Sequence, residues 1–225
     1  MNTDSSPLTS RVLFLSVAVL VGTVLFAGTV HAAAPSSAPA TALSTAPGLN
    51  KLQCFDGTTD GGFGGVCTLT GKGAKGPATL NNTDSNPAGS YSGVYIIDST
   101  LFGQPLNKIT QLSYNYTGSI TPGPGDLSLN LPIDTNGDGT TEAYAFIDAA
   151  YCPGVGGSVN VITDPNCGIY YGGVTFYANW AAFIAAYPGA KVATDNYMFI
   201  IAERTATEGP AFWTVSNVKL GKGGR

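Results

Sequence analysis

The sequence is poor in charged residues and has almost no histidine. Only 11% of its 225 residues are charged, against about 25% in ordinary soluble domains, so its surface must be polar but largely neutral. Ten Lys and Arg stand against fourteen Asp and Glu, with no basic run. Such a chain cannot neutralise several phosphates, which excludes a nucleic-acid partner. Hydrophobic residues make up 44% of the chain, which excludes disorder caused by an excess of charge.

The scarcity of histidine excludes several kinds of catalytic site. The one histidine, His31, lies in a segment that we expect to be removed from the mature protein. Without it, no Ser-His or Cys-His nucleophile pair can form. Zinc and redox-metal sites built on imidazole are excluded as well. The sequence therefore favours a non-catalytic protein over an enzyme.

Paired carboxylates, which glycoside hydrolysis requires, are also scarce. The E-x-D-x-x-E strand pattern of jelly-roll glucanases is absent, and beyond the leader the only glutamates are Glu142, Glu203 and Glu208. Glu203 and Asp195 fall at opposite ends of one predicted strand. These carboxylates are therefore predicted to be solvated surface groups.

The first 50 residues have the composition of a leader and a linker. Arg11 precedes an apolar run over 12–30, which ends in the small-residue site Val30-His31-Ala32. This pattern predicts a signal peptide over 1–32, and hence a secreted, extracellular or cell-envelope protein with no membrane association after cleavage. The alternative is a retained anchor, because an apolar run of this length can span a bilayer. Residues 33–50 are rich in Ala, Ser and Pro and predict a flexible linker before a single domain over 51–225.

Four cysteines remain after the leader, and an even number in a secreted chain indicates disulfides. Three pairings are possible. We predict Cys54–Cys67 and Cys152–Cys167, because each pair brackets one stretch rich in glycine or proline. A zinc site made of all four is the alternative, but the close C-x2-C spacing that it needs is absent.

From residue 90 onward, apolar and polar residues alternate with a period of two. Such alternation marks half-buried strands, and about eight short strands separated by Gly and Pro turns predict an all-β antiparallel sandwich. One short helix is predicted after Asn179, with Trp180, Phe183, Ile184 and Tyr187 on one apolar face and Pro188-Gly189 at its end. Residues 51–90 are interpreted as mostly turns, held by the first cysteine pair. The predicted strands are 91–98, 109–117, 127–133, 142–149, 158–163, 173–178, 197–203 and 211–220.

The segment DTNGDGTTE between two predicted strands resembles the first half of a calcium-binding loop. Asp134, Asn136 and Asp138 place side-chain oxygens at every second residue, and Gly139 permits a sharp turn. The position of the bidentate glutamate holds Ala145, so Glu142 or Asp148 must supply the missing carboxylate. The alternative is a plain hairpin turn, which Asn-Gly and Asp-Gly also favour.

Tyrosine is more abundant than a core alone requires, with 11 residues. Tyrosine offers a flat apolar ring with a polar tip, a surface on which sugar rings stack. Tyr114, Tyr151, Tyr170 and Tyr171 are the candidate ligand-binding residues. Ordinary packing within a sandwich is the alternative for each of them.

Four segments carry a resemblance to secreted bacterial β-sandwich domains of the jelly-roll, concanavalin A-like or carbohydrate-binding-module type. They are ITQLSYNYT, LSLNLPIDTNGDGTTEAYAFID, WAAFIAAYPGAKV and FWTVSNVKLG. The resemblance is architectural. It implies a jelly-roll-like sandwich that binds polysaccharide or another cell-surface polymer.

Three functions follow in order of preference. The first is a secreted, non-catalytic protein that binds carbohydrate or a surface polymer, with calcium as its one candidate cofactor. The second is a structural protein of the envelope or extracellular matrix with no small ligand. The third is a glycoside hydrolase-like enzyme, which would require two carboxyl groups roughly 5–10 Å apart in a cleft.

Overall fold

The computed structural model describes residues 51–58, 64–70, 77–82, 89–97, 100–152, 157–204 and 208–222. Within these residues the chain forms two antiparallel sheets and one short α-helix, which confirms the predicted all-β sandwich. The predicted signal peptide and linker lie outside the described residues. No helix of the described part is long and apolar enough to cross a bilayer.

Thirteen strands and one α-helix (α1) are described in the chain. Two short 3-10 helices, Leu106–Lys108 and Ala149–Tyr151, accompany them. Helix α1 spans Trp180–Ala186. Strands β1 to β13 span, in order, Lys51–Asp56, Val66–Leu69, Ala78–Asn82, Ser90–Ile97, Ile109–Gly118, Leu127–Asp134, Ala143–Asp148, Ser158–Asn160, Ile169–Tyr171, Thr175–Tyr177, Lys191–Val192, Met198–Arg204 and Ala211–Lys222.

The larger sheet has eight strands, in the order β1-β4-β12-β6-β7-β9-β10 with β11 paired to β6, and the smaller has the order β2-β3-β13-β5-β8. Alternate residues of each strand face the space between the sheets, as the period of two predicts. These inward positions are almost all inaccessible to solvent. They include Leu80, Val94, Ile96, Leu112, Leu129, Leu131, Ile147, Ile200, Trp213 and Val215.

The segment before residue 90 differs from its interpretation as mostly turns, because it contributes β1, β2 and β3. Strand β1 pairs with β4 over six residues, and β3 pairs with β13 over five. Short glycine-flanked segments have little β-propensity of their own, so the long neighbouring strands hold them in place.

Strands β1 and β2 lie at the edges of different sheets, and the disulfide between Cys54 and Cys67 joins them. The Cys67 backbone N–H also donates to the Asp56 carboxylate at 3.3 Å. The second pair, Cys152 and Cys167, is likewise at disulfide distance, so both predicted pairings are observed. Disulfides of this kind indicate an oxidising compartment.

Helix α1 begins and ends where the sequence predicts. The Asn179 side chain accepts the backbone N–H of Ala182 at 2.9 Å, which caps the first turn. Trp180 and Phe183 are buried in the main core. Their burial confirms that the apolar face of the helix packs against the sandwich.

The outward face of the smaller sheet carries a row of threonines. Four of them are direct partners across β2, β3, β13 and β5, and the hydroxyls of two lie 3.5 Å apart. Direct partners share one face of a sheet, so the four side chains form a continuous line. They are Thr68, Thr79, Thr214 and Thr117.

Candidate functional site

The acidic loop between β6 and β7 is built around Asp134, the last residue of β6, which is 2% exposed. Its two carboxylate oxygens accept the backbone N–H groups of Gly137 at 2.6 Å and Gly139 at 2.9 Å. Both glycines have positive φ angles, 88° and 90°, which residues with a Cβ rarely adopt. The sequence Asn-Gly-Asp-Gly therefore lets the backbone wrap around one carboxylate.

The other polar side chains of the loop also form hydrogen bonds within it. Asp138 accepts the Thr140 hydroxyl at 2.6 Å and the Thr140 backbone N–H at 2.8 Å, and these bonds lower the pKa of the exposed Asp138 carboxyl. Asn136 Oδ1 accepts the Asp138 N–H at 2.8 Å. Glu142 Oε2 accepts the Thr135 N–H at 2.5 Å. The loop thus has the internal bonding of a stable hairpin turn.

Three of the predicted metal ligands converge in this loop. Asp134, Asp138 and Glu142 each place one carboxylate oxygen within 4.8 Å of the others. A cluster of three carboxylates can hold a metal ion. Of the two residues predicted as the missing carboxylate, Glu142 is the one that lies beside Asp134 and Asp138. Asp148, the other residue considered for that role, lies at the far end of β7, paired with Ser128.

The four predicted ligand-binding tyrosines do not form one site. Tyr114 lies between the sheets and is 1% exposed, and burial raises the pKa of its hydroxyl well above the usual value. Tyr171 packs against Phe183 and Tyr187, with ring centroids 5.7 Å and 4.9 Å away. Tyr151 and Tyr170 are neighbours, with centroids 5.7 Å apart. The structure therefore brings together only two of the four.

Tyr151, Tyr170 and Phe176 form an aromatic platform at the edge of the larger sheet. Phe176 is 50% exposed, and its ring centroid lies 4.9 Å from that of Tyr170 and 6.1 Å from that of Tyr151. Gly168 makes room for this ring, because a Cβ there would lie 2.5 Å from the Phe176 ring. The disulfide from Cys152 to Cys167 joins the two segments that hold the platform. Three rings are thus held together on an accessible surface.

The platform continues a row that crosses the outward face of the whole larger sheet. Seven residues, one from each strand of the main path, are aligned partners. Because neighbouring strands lie about 4.8 Å apart, the row is about 29 Å long. From β1 to β10 it consists of Gln53, Tyr95, Phe199, Asn130, Phe146, Tyr170 and Phe176.

A polar strip lies beside this row on the central strands of the same face. Ser128 of β6 is a direct partner of both Asp148 of β7 and Ile201 of β12, and Glu203 lies two residues beyond Ile201. Ser128, Asn130 and Asp148 are each at most 3% exposed. The Asn130 amide nitrogen donates to the Ser128 hydroxyl at 3.0 Å. Polar residues buried at the centre of a sheet face, rather than at its rim, are unusual.

Glu203 differs most from its prediction as a solvated surface carboxylate. Its Oε1 atom is buried and has no hydrogen-bond partner. Burial, and secondarily the negative charge of Asp148, raise the pKa of Glu203 to about 8. The prediction for this residue was wrong, because it assumed that a polar residue at the end of a strand points into water.

Sequence reasoning did not identify Phe176, Asn130, Ser128 or the inclusion of Glu203 in this site. These four residues lie on three strands, β6, β10 and β12, and the order of the strands in the sheet is not their order in the chain. The alternation in 127–133 placed Ser128 and Asn130 on an outward face. The alternation pattern does not predict which residues of the neighbouring strands lie beside Ser128 and Asn130.

Comparison with known proteins gives no relative. No protein-family model, no curated protein and no solved structure matches this chain. Inference about function therefore starts from the arrangement of the chain's own side chains.

Proposed function

We propose that this is a secreted protein that binds a neutral polysaccharide, or a similar cell-surface polymer, on its aromatic platform. The single observation behind this proposal is the exposed cluster of Tyr151, Tyr170 and Phe176 at the end of the aligned row. Sugar rings present apolar C–H faces that pack on aromatic rings, while hydroxyl and amide groups take the sugar hydroxyls.

The low charge of the chain supports a neutral ligand. Within 2 residues on either side of the three platform rings, no Lys or Arg occurs, which favours a neutral polymer over an anionic one. The two disulfides support an oxidising compartment, in agreement with the predicted signal peptide.

Removal of a platform ring should weaken retention on insoluble neutral polysaccharides. We expect Phe176→Ala and Tyr170→Ala each to raise the dissociation constant about tenfold, equivalent to about 1.4 kcal/mol of lost stacking. The matched control is Phe212→Ala, since Phe212 is 47% exposed, close to the 50% of Phe176, but lies on the smaller sheet. The measurement is a depletion isotherm on cellulose, chitin, xylan and mannan. Equal loss in the control, or no retention of the wild type on any polymer, would contradict the proposal.

A structural role without a small ligand is the second candidate, and one observation favours it. Phe212 and Val66 are 47% and 45% exposed and flank Asn81 as aligned partners on the smaller sheet. Exposed apolar residues in one row are typical of a surface that packs against protein. Self-association of the wild type, abolished in Phe212→Ala, would support this role instead.

We further propose that the acidic loop binds calcium and that the ion is structural. Hard cations prefer carboxylate oxygens, and the triad of Asp134, Asp138 and Glu142 supplies three. Calcium at about 100 times its dissociation constant should stabilise the fold by about 2.7 kcal/mol. We expect the Tm to rise with CaCl2 in the wild type but not in Glu142→Gln, while Asp164→Asn, outside the loop, behaves as wild type. A Tm that does not respond to calcium would rule the site out.

A further inference from the structure

The outward faces of the two sheets differ in how much of each face solvent reaches. On the smaller sheet, the outward residues Phe212 of β13 and Asn115 of β5 are exposed. On the larger sheet, the outward residues Phe199 of β12 and Asn130 of β6 are 3% and 0% exposed. The described helix α1 does not cover this face, since Phe183 packs into the core between the sheets. The middle of the larger sheet is therefore covered by another part of the chain.

The covered stretch is the middle of the aligned row. Tyr95 and Phe146 stand at its two ends with Phe199 and Asn130 between them, and three strand spacings make it about 14 Å long. Both Tyr95 and Phe146 are partly buried, and each has an interaction partner beyond the described contacts. Among the described residues, the buried Asn130 Oδ1 atom has no hydrogen-bond partner. The stretch thus offers aromatic rings and one unused acceptor to whatever covers it.

Length decides which part of the chain can cover this stretch. The internal segments outside the described residues have two to six residues each, and described neighbours hold both ends of each segment. They are too short to run along four strands and return. The three residues after β13 leave from the smaller sheet. The residues before β1 are tied only at Lys51, on the edge strand of the larger sheet, two residues from the start of the row at Gln53.

The composition of residues 33–50 suits an aromatic surface. This segment contains Pro35, Pro39 and Pro47, six alanines and no charged residue. Proline-rich segments favour an extended helix that docks on aromatic-lined surfaces and loses little entropy in doing so. At about 3.1 Å per residue the segment spans about 55 Å, enough to cross the whole sheet. Such a helix has no internal hydrogen bonds, so its backbone N–H groups can donate to Asn130.

We propose that residues 33–50 fold back over the larger sheet and lie on the stretch from Tyr95 to Phe146. Their prolines pack against these two rings, and one of their backbone N–H groups donates to Asn130 Oδ1. The segment is then a third layer of the mature domain rather than the flexible linker that its composition predicts. The aromatic platform lies beyond the covered stretch, so the segment does not compete with a polymer there.

Thiol labelling tests this placement, because the four native cysteines are paired and one introduced cysteine is the only reactive thiol. Phe146→Cys reports on the covered stretch, and Phe212→Cys, on the exposed face of the smaller sheet, is the matched control. Both variants are made in the secreted chain, whose first residue is determined by mass spectrometry. We expect Phe146→Cys to react with a maleimide at least about tenfold more slowly than Phe212→Cys, because the segment must first lift off.

Replacing Pro35, Pro39 and Pro47 with serine removes the groups that pack on the rings and keeps the length of the segment. In this background the labelling rate of Phe146→Cys should rise about tenfold, while that of Phe212→Cys stays the same. Where a thermal melt shows that Phe146→Cys is unfolded, Tyr95→Cys at the other end of the stretch provides the same comparison.

Three results would overturn this placement of the segment. One is equal labelling of the covered and control cysteines when the segment is unaltered. Another is slow labelling of the covered cysteine that the serine substitutions leave unchanged, because a different part of the chain would then be the cover. The third is a secreted chain that begins at β1 and keeps the covered cysteine protected.

Discussion

Replacing Arg204 with methionine should lower the free energy of unfolding by about 3–5 kcal/mol, because it leaves Asp126 as an uncompensated buried charge. The Arg204 guanidinium lies 3.0 Å from Asp126, and the two side chains are 7% and 6% exposed. Arg204 also donates to the Gly209 carbonyl at 2.7 Å and lies over the ring of Trp213, 5.9 Å from its centroid. This one side chain therefore joins β12 to the loops at the end of the sandwich and to β13.

The free energy of unfolding is measured by chemical denaturation, with tryptophan fluorescence as the signal. Lys219→Met is the matched control, because Lys219 is an exposed cation on β13 and should cost less than about 0.5 kcal/mol. The double variant Arg204→Met with Asp126→Leu should recover part of the loss, since it removes both charges. A loss in Arg204→Met no greater than in Lys219→Met would contradict the importance of this ion pair.

The protein should become less stable as the pH rises from about 4.5 to about 8, by roughly 3–5 kcal/mol, because of Glu203. Its pKa is raised from 4.5 to about 8 in the folded chain, so the folded state holds a proton that the unfolded state releases in this interval. This contribution of Glu203 is fully present below about pH 4.5, where both states are protonated. The loss accumulates between pH 4.5 and 8 and levels off above pH 8, where the folded state ionises as well.

Glu203→Gln should remove most of this pH dependence, because glutamine stays neutral at every pH. Above pH 8 the variant should be more stable than the wild type by a similar amount, and below pH 4.5 the two should be alike. Asp126, whose pKa burial also raises, shifts stability in the same direction and remains as the residual slope. Equal slopes for wild type and Glu203→Gln between pH 5 and 8.5 would show that Glu203 ionises freely in the folded state.

Eight of the ten strands beyond residue 90 were predicted from their alternation, and the short strands β9 and β11 were missed because two or three residues carry too little pattern. The alternation in 109–117 and 127–133 matches β5 and β6 within a residue at each end. Strands β1 to β3 could not be predicted in this way, because glycines surround them and their neighbours in the sheets lie far along the chain. Local sequence carries the pattern of burial but not the identity of the partner strand.

The acidic loop could be predicted from local sequence, whereas the aligned row could not. Asp134, Asp138 and Glu142 lie within nine consecutive residues, so spacing alone predicted that they converge. The aligned row and the polar strip depend on the order of the strands in the sheet, which the alternation pattern does not contain. Glu203 was assigned to the surface because its environment is formed by β4, β6 and β7, whose neighbourhood only the fold defines.

The threonine row on the smaller sheet has a consequence for how the protein stays in solution. Its hydroxyl groups hydrate the surface without ionising, and their hydration does not depend on counterions. A surface of this kind responds weakly to ionic strength, whereas one covered with Lys and Glu gains or loses electrostatic repulsion as salt is added. The hydration of the threonine row should therefore change little between low and high salt.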